Sequence, residues 1–549
     1  MIQHNESVSA SIDAFITYAR QHLYLDASDE DYTRNRLIEL IGFSGYIPSS
    51  ARTADMGDAS TPARKAGTAY PASSAHKVDA TNNVFPARKE DAQKPSDSAV
   101  ACKHGAQCHS DAGNDVDALL RNAITSIRCA GLAEHYDDAA LADALLNTVS
   151  PVPSRVQQLF AEQEQQHSAM EAMHWLYDFG LHNGYVHGGQ LAKNPRFGSH
   201  GLIVTINAAK PEFKTMASAG QGNSVQGGYP ACTICHANEG FAARNKRTLR
   251  TIPVELDGEP WFWQYSPYGY FHEHGICVNM QHTPMHVDRS TFRKLLDFVD
   301  RFPDFFLGCN AALPRIGGSV LAHDHYQGGG EQMPMHHAAA VHERASAVDS
   351  RVSIAVLDWP GTAMRLTSTD RDALVAIADR IRLAWEQYDN AALHIASHDA
   401  QGNRQSAVSP TVIATDHGYE LSLILRNNAV SEEHPQGIFH AHEEFWPIKQ
   451  EPIGLIEAQG LFVLPGRLIT QLGELEQALC QGAALPQHLA EFHMVFEETQ
   501  QLLQGATDEQ SVRVAMRDEL GSICTRILRN TAVFPDVRET EAFLQQAEV

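Results

Sequence analysis

The sequence predicts an α+β protein with two related units. Three observations carry that prediction. Helical spacing of apolar residues gives way to short β-rich runs, then returns, along a chain of 549 residues. A chain of that length buries more than one core. Two histidine pairs, His323-Asp324-His325 and His440-Ala441-His442, recur in the two α+β stretches and hint at an internal duplication.

Residues 1–47 read as N-terminal helices. Ile12, Phe15, Ile16, Ala19 and Leu23 share one stripe, and Leu37, Ile38 and Ile41 share another. From 48 to 115 large apolar residues almost vanish, and Ala, Ser, Asp, Lys and Pro dominate. Such a segment cannot bury enough surface to offset its ordering entropy and reads as a disordered insertion. Cys102, His104, Cys108 and His109 lie in it without core or turn signals and read as incidental. Residues 116–185 return to helical spacing through Leu159, Phe160, Met170 and Trp175. Residues 186–366 form the first α+β unit. Strands are expected at 202–206, 276–278 and 305–307, with Phe292, Leu295, Leu296 and Val299 on one helix face. Residues 367–549 form the second unit: a helix over 370–388, strands at 421–425 and 461–464, and a helical C-terminus.

Composition excludes several function classes. A net charge of −24 and the lack of a basic run argue against nucleic acid. No run approaches the ~20 apolar residues of a membrane span. The opening residues lack the basic and apolar regions of a signal peptide, so a cytoplasmic protein is expected. Nine cysteines in such a chain do not make a disulfide framework.

The richest stretch runs from Gly317 to Gly329. An apolar run leads into His323-x-His325-x-Gln327 with glycines on both sides. In an extended strand these three side chains would share one face. A neutral imidazole is nucleophilic, and its free pKa near about 6.5 leaves a neutral fraction at pH 7. The Gln327 amide can donate to a phosphoryl oxygen without taking the nucleophile's proton. Peptide N–H groups at Gly318 and Ser319 can meet an anion. Lys193, Lys210, Arg315, Arg426 and Arg467 are basic residues that could reach a phosphate. Asp324 alternates to the opposite face, so its effect on the imidazoles should be small.

Cys232-Thr233-Ile234-Cys235 has a spacing that chelates zinc from one turn, the alternatives being a redox pair, for which no clear βαβ setting is seen, or chance burial. Two more ligands are needed, and spacing leaves His236, His272, His274, His282, His286 and His323 all open.

The order of motifs resembles galactose-1-phosphate uridylyltransferases of the histidine-triad superfamily, closest to their longer second type. The resemblance rests on Cys232-x-x-Cys235, the run from Ile276 to His282, and His323-x-His325-x-Gln327. It extends to Leu191-Ala192-Lys193-Asn194-Pro195, Asn238-Glu239-Gly240-Phe241, Pro267-Tyr268-Gly269-Tyr270-Phe271, Leu313-Pro314-Arg315, Leu425-Arg426-Asn427-Asn428, the run from Glu433 to His440, and Leu464-Pro465-Gly466-Arg467. It implies a duplicated antiparallel half-barrel of histidine-triad type, with the N-terminal helices and the insertion added, and a homodimer. It implies uridylyl transfer from UDP-glucose to galactose 1-phosphate by double displacement. His325 would be the nucleophile and Gln327 the group that holds the α-phosphoryl oxygens. Zinc would be held by Cys232, Cys235, His282 and His323. Asn310 matches a family nucleotide contact, two residues farther from the motif than in the first type. His440 and His442 match half of a second metal site. No Glu follows Gln327 at the family spacing, Glu331 being too close, so that pair reads as phosphate-binding or structural. Two rival readings are a phosphorylase or hydrolase of the same superfamily and a non-catalytic zinc-binding interaction protein.

Overall fold

The computed structural model describes residues 2–52, 106–208, 228–316 and 320–549. Most of the segment 48–115 lies outside these, as do Lys210, Gly318 and Ser319. Both ends of that segment are helical, at Ser49–Arg52 and Ala106–Cys129. The second helix continues to bury Val116, Ala123 and Ile127. The boundary at 115 therefore falls inside a helix, whose polar opening turns carry no apolar signal.

Thirteen strands are described: β1 Arg196–Ser199, β2 Leu202–Asn207, β3 Ile252–Leu256, β4 Glu259–Tyr265, β5 Gly275–Asn279, β6 Phe306–Gly308, β7 His325–Gly329, β8 Ala340–Ala345, β9 Ser353–Leu357, β10 Ala363–Ser368, β11 Ser406–Thr415, β12 Gly418–Asn427 and β13 Leu461–Pro465. Ten of them form one antiparallel sheet in the order β3-β4-β5-β7-β6-β11-β12-β10-β9-β8. The order repeats. Three strands, a helix (Arg289–Arg301) and two strands make the half β3–β7. Three strands, a helix (Arg371–Trp385) and two strands make the half β8–β12, joined to the first through β6 and β11.

Two sequence expectations change here. The second half of the strand order begins at β8, near residue 340, ahead of the expected boundary at 367, and β8 is exposed along most of its length, so it gives little strand signal. The strands at 202–206 and 461–464 do not belong to the two halves. They pair in parallel with each other, and β1, β2 and β13 make a separate sheet.

Pairing explains the faces. Directly opposed residues share a side. One row crosses the sheet as Gln264, Ile276, Gln327, Gly308, Thr411, Ser422 and Arg365. The next rows, on the other face, carry Trp263, Cys277 and Tyr326, then Leu307, Val412, Leu421 and Leu366. That apolar face is covered by the two helices. Phe292, Leu295, Leu296, Phe298 and Val299 of Arg289–Arg301 are fully buried, and the Phe298 ring lies 5.2 Å from Trp263. Asp288 caps the helix, with Thr291 answering in a capping box. The polar face meets the small sheet: Phe306 and Ile413 pack with Leu461 and Val463. The helix Glu509–Thr531 packs behind that small sheet. The predicted stripe Ile12, Phe15, Ile16, Ala19 and Leu23 is buried as one helix face. No described helix is long and apolar enough to cross a membrane.

Candidate functional site

Four side chains converge at the rim of the first half. Cys232 and Cys235 Sγ are 3.3 Å apart, His323 Nδ1 lies 3.2 Å from Cys232, and His282 Nδ1 lies 3.1 Å from Cys235. All four ligand atoms fall within 4.8 Å of one another. His282 follows the end of β5, and His323 stands two residues before β7. The cysteine loop is fixed from behind. Asn238 donates to the Cys232 and Cys235 carbonyls at 2.8 Å, Arg244 donates to the Cys232 carbonyl, and Lys246 to that of Thr233 at 2.6 Å. The tautomer also fits a metal. His323 Nε2 donates to the Asn279 carbonyl at 2.8 Å, so its lone pair sits on Nδ1, facing the sulfurs. Burial lowers the His323 pKa to about 4, which keeps it neutral, and raises that of the Cys232 thiol to about 11. A cation among the sulfurs reverses the thiol's preference. These four residues fit a closed tetrahedral site.

The strand expected over the whole motif begins only at His325. His323 lies outside it in a bend, and the chain is extended from Asp324, whose N–H donates to the Thr283 carbonyl at 2.7 Å and whose carbonyl accepts from Asn279 N–H at 3.0 Å. His323 thus faces the cysteines, while His325 and Gln327 alternate onto the polar face. Glycine has another use here too. A Cβ on Gly328 would overlap the Phe306 carbonyl oxygen, so Gly328 lets β6 and β7 pair closely.

His325 is buried, 5 % exposed. Its Nδ1–H donates to the His323 carbonyl at 2.8 Å, which leaves the ring's lone pair on Nε2. Burial pulls its pKa below the usual histidine value, so the ring is neutral at pH 7. Asp324 is fully buried on the opposite side, 3.7 Å from His286 Nδ1, and burial raises its carboxyl to about 6. The perturbers of His325 are burial and the His323 carbonyl, which matches the small effect expected of Asp324.

Two further residues bring donors to this face. The β6–β7 pairing ends at Gly308 and Gln327, and its register continued by two residues would set Asn310 opposite His325. Asn310 Oδ1 accepts from Leu455 N–H at 2.8 Å, and its Nδ2 has no protein partner. Arg426 is four residues beyond Ser422 on the same face of β12. Its Nη2 donates to the Ile453 carbonyl at 2.8 Å, while Nε and Nη1 have no hydrogen-bond partner. Burial lowers its pKa only to about 10, so it stays cationic. Both residues are thus anchored on the segment Ile453–Leu455, with unsatisfied donors remaining. Arg315 Nη2 donates to the Asn428 carbonyl, and its Nε, too, has no hydrogen-bond partner. Arg467 donates to the Pro447 carbonyl, and Lys193 is exposed.

The second histidine pair is not part of a metal cluster among the described residues. His440 donates to the Ala441 carbonyl and His442 to that of Ile438, and the His442 ring stacks on His434 at 4.1 Å. Sequence reasoning missed several buried polar groups. Among them are Gln264, His336, Gln459 and Lys449, whose Nζ meets Glu451 and Glu457 at 2.9 and 2.7 Å. A buried lysine carries no local signature. Period-two alternation along β4 was the available signal for Gln264.

A neutral imidazole with one free lone pair, on the same sheet face as unsatisfied cationic and amide donors, suits chemistry at a phosphate ester. Such a site fits the nucleotidyltransferases as a class. Known proteins narrow it. The chain is 52% identical to a galactose-1-phosphate uridylyltransferase of Bifidobacterium longum subsp. longum over 540 residues, 98% of this chain and 97% of that one. It is 36% identical to one from Halalkalibacterium halodurans over 74% of this chain and 81% of the relative. It is 33% identical to one from Latilactobacillus sakei subsp. sakei over 79% and 87%. No family model and no solved structure matches it. The chain belongs to the galactose-1-phosphate uridylyltransferase family, which sets aside the non-catalytic alternative.

Proposed function

We propose that this enzyme transfers a uridylyl group from UDP-glucose to galactose 1-phosphate through a covalent intermediate on His325. The observation that carries the reading is the His325 Nδ1–H bond to the His323 carbonyl, which commits the lone pair to Nε2. Nε2 attacks the α-phosphorus, the bond to the glucose 1-phosphate oxygen breaks, and that oxygen leaves with the electron pair. A phosphate oxygen of galactose 1-phosphate then attacks the same phosphorus, and the N–P bond returns its electrons to Nε2. Two easier displacements replace one hard transfer. Gln327 donates to the α-phosphoryl oxygens, and the free donors of Arg426 and Asn310 are groups that a bound phosphate or nucleotide satisfies. Gly318, Ser319 and Lys210 remain part of this reading from sequence, and Arg315 serves it by tying the loop before the motif to the end of β12.

Cys232, Cys235, His282 and His323 hold zinc in a structural role, joining three separate segments beside the nucleophile. The repeated strand order supports two half-barrels of histidine-triad type, and the enzyme is read as a cytoplasmic homodimer. Incubation with UDP-glucose alone tests the transfer. One equivalent of glucose 1-phosphate per site and a uridylylated His325 peptide are expected. Continuous release of UMP would instead make the protein a hydrolase. Sedimentation checks the dimer.

A further inference from the structure

Gln327 holds the phosphoryl oxygens only if its amide is turned the right way. An amide offers NH₂ on one side and an acceptor oxygen on the other, and a rotated Gln327 would set its oxygen against the anion. Something must fix the choice. Gln327 is the partner of Ile276 across β5 and β7. His274 precedes Ile276 by two residues, so it stands on the same face, diagonal to Gln327.

His274 is itself held in one orientation. Its ring stacks on Tyr270 at 4.8 Å with 21° between planes, and leans on Phe271 at 4.7 Å. The turn that presents it is pinned by Ser266 N–H donating to the His274 carbonyl at 2.9 Å. Glu273, beside it, takes a left-handed φ of 57°, and its buried carboxylate is gripped by His174 Nδ1 at 2.5 Å. His274 Nδ1 accepts from the Tyr270 N–H at 3.4 Å. The ring is buried and neutral, its pKa pushed down to about 4 by desolvation, so its single proton is on Nε2. No bond of good geometry satisfies that Nε2, and the Gln327 amide is a polar group that interacts with the ring. Hydrogen bonds at such sites commonly tighten when substrate arrives.

We propose that His274 is a positioning residue for Gln327: its Nε2–H holds the amide oxygen, so that the amide NH₂ faces the phosphoryl group at His325. This deepens the reading above and rests on Gln327 being the phosphoryl donor. It explains why a histidine, rather than an apolar residue, occupies a site made of aromatic rings.

The test is the rate of uridylyl-enzyme formation at saturating UDP-glucose, measured by rapid quench. His274→Phe keeps the stacking and removes both nitrogens. It should slow the step about tenfold, less than the roughly hundredfold of Gln327→Ala, with KM little changed. His274→Gln, which restores an N–H near the Nε2 position, should recover most of the rate. In the Gln327→Ala background, His274→Phe should cost nothing further, since its partner is gone. If Gln327→Ala is slow but the two losses multiply in the double variant, His274 does not act through Gln327 and the inference is overturned alone. If Gln327→Ala is as fast as wild type, the role of Gln327 falls and the inference falls with it. A readout independent of folding of the variants is the ¹⁵N spectrum of His274 in the unmutated enzyme. A proton on Nε2 is expected, and a proton on Nδ1 would overturn the proposal.

Discussion

The two halves of the large sheet share a strand order but differ in their connections. Between β5 and its helix the first half runs through residues 280–288, with His282 and His286 in them. The second half makes the same connection, from β10, with Thr369 and Asp370. Between β6 and β7 the first half runs from 309 to 324, with Asn310, Arg315 and His323 on the way. The second half joins β11 to β12 by Asp416 and His417 alone. The Cys/His cluster and His325, the proposed nucleophile, thus stand at the rim where the loops of the first half are longer. The second half keeps two ten-residue strands and lends the site a single buried guanidinium, Arg426. On the reading proposed above, one half supplies the bond-making groups, and the other a wall of paired strands with a positive charge in it.

That division fails most visibly if the nucleophile is not in the first half. His325→Gly should lower overall transfer by roughly 10⁴-fold or more and keep the metal, because His325 is not among the four ligands. Metal analysis and a galactose 1-phosphate assay on the same sample check both. Cys235→Ser should release the ion and destabilise the protein by several kcal/mol, since closed zinc sites contribute to folding. Cys524→Ser, buried just as deeply in the C-terminal core, should keep it. Arg426→Met should slow transfer by about tenfold to a hundredfold, the scale of a lost charged phosphate contact. It should not lower the melting temperature, because it removes a buried cation with two unsatisfied nitrogens. An arginine kept only for stability would show the opposite pair of results.

The smallest effect is on pH dependence. Burial depresses the pKa of His274 to about 4 and of His336 to about 3. The unfolded chain takes up these protons near pH 6.5 and the folded one does not. Their contribution is complete above the unfolded value and is lost as pH falls toward the folded value. Between pH 7.5 and 5.5, urea titrations should show roughly 1 kcal/mol lost for each such histidine. His336→Gln should flatten that slope by one proton, and an unchanged slope would mean that His336 is charged in the fold.

Much of the first half was legible in sequence because its chemistry is local. Cys232-x-x-Cys235 and His323-x-His325-x-Gln327 declare themselves by spacing, and helix stripes such as Phe292, Leu295, Leu296 and Val299 follow from periodicity. The second half was harder. Strand β8 is exposed along most of its length and shows no clear alternation, so periodicity alone does not carry the repeat boundary back from 367 to 340. Pairing of β2 with β13 joins residues more than two hundred positions apart, and no local pattern encodes it. His323 was read as a strand residue because alternation assumes an extended chain. The bend at His323 comes just before bonds from Asp324 to Thr283 and Asn279, which only the fold brings near.

The most direct test of the central claim is isotope exchange without an acceptor. Labelled glucose 1-phosphate is mixed with UDP-glucose and enzyme, galactose 1-phosphate being left out. A covalent uridylyl-His325 makes the first displacement complete in itself, so label should enter UDP-glucose at a rate comparable with turnover, and His325→Gly should show none. Absence of exchange in the unmutated enzyme, or exchange at full rate in His325→Gly, would contradict the account.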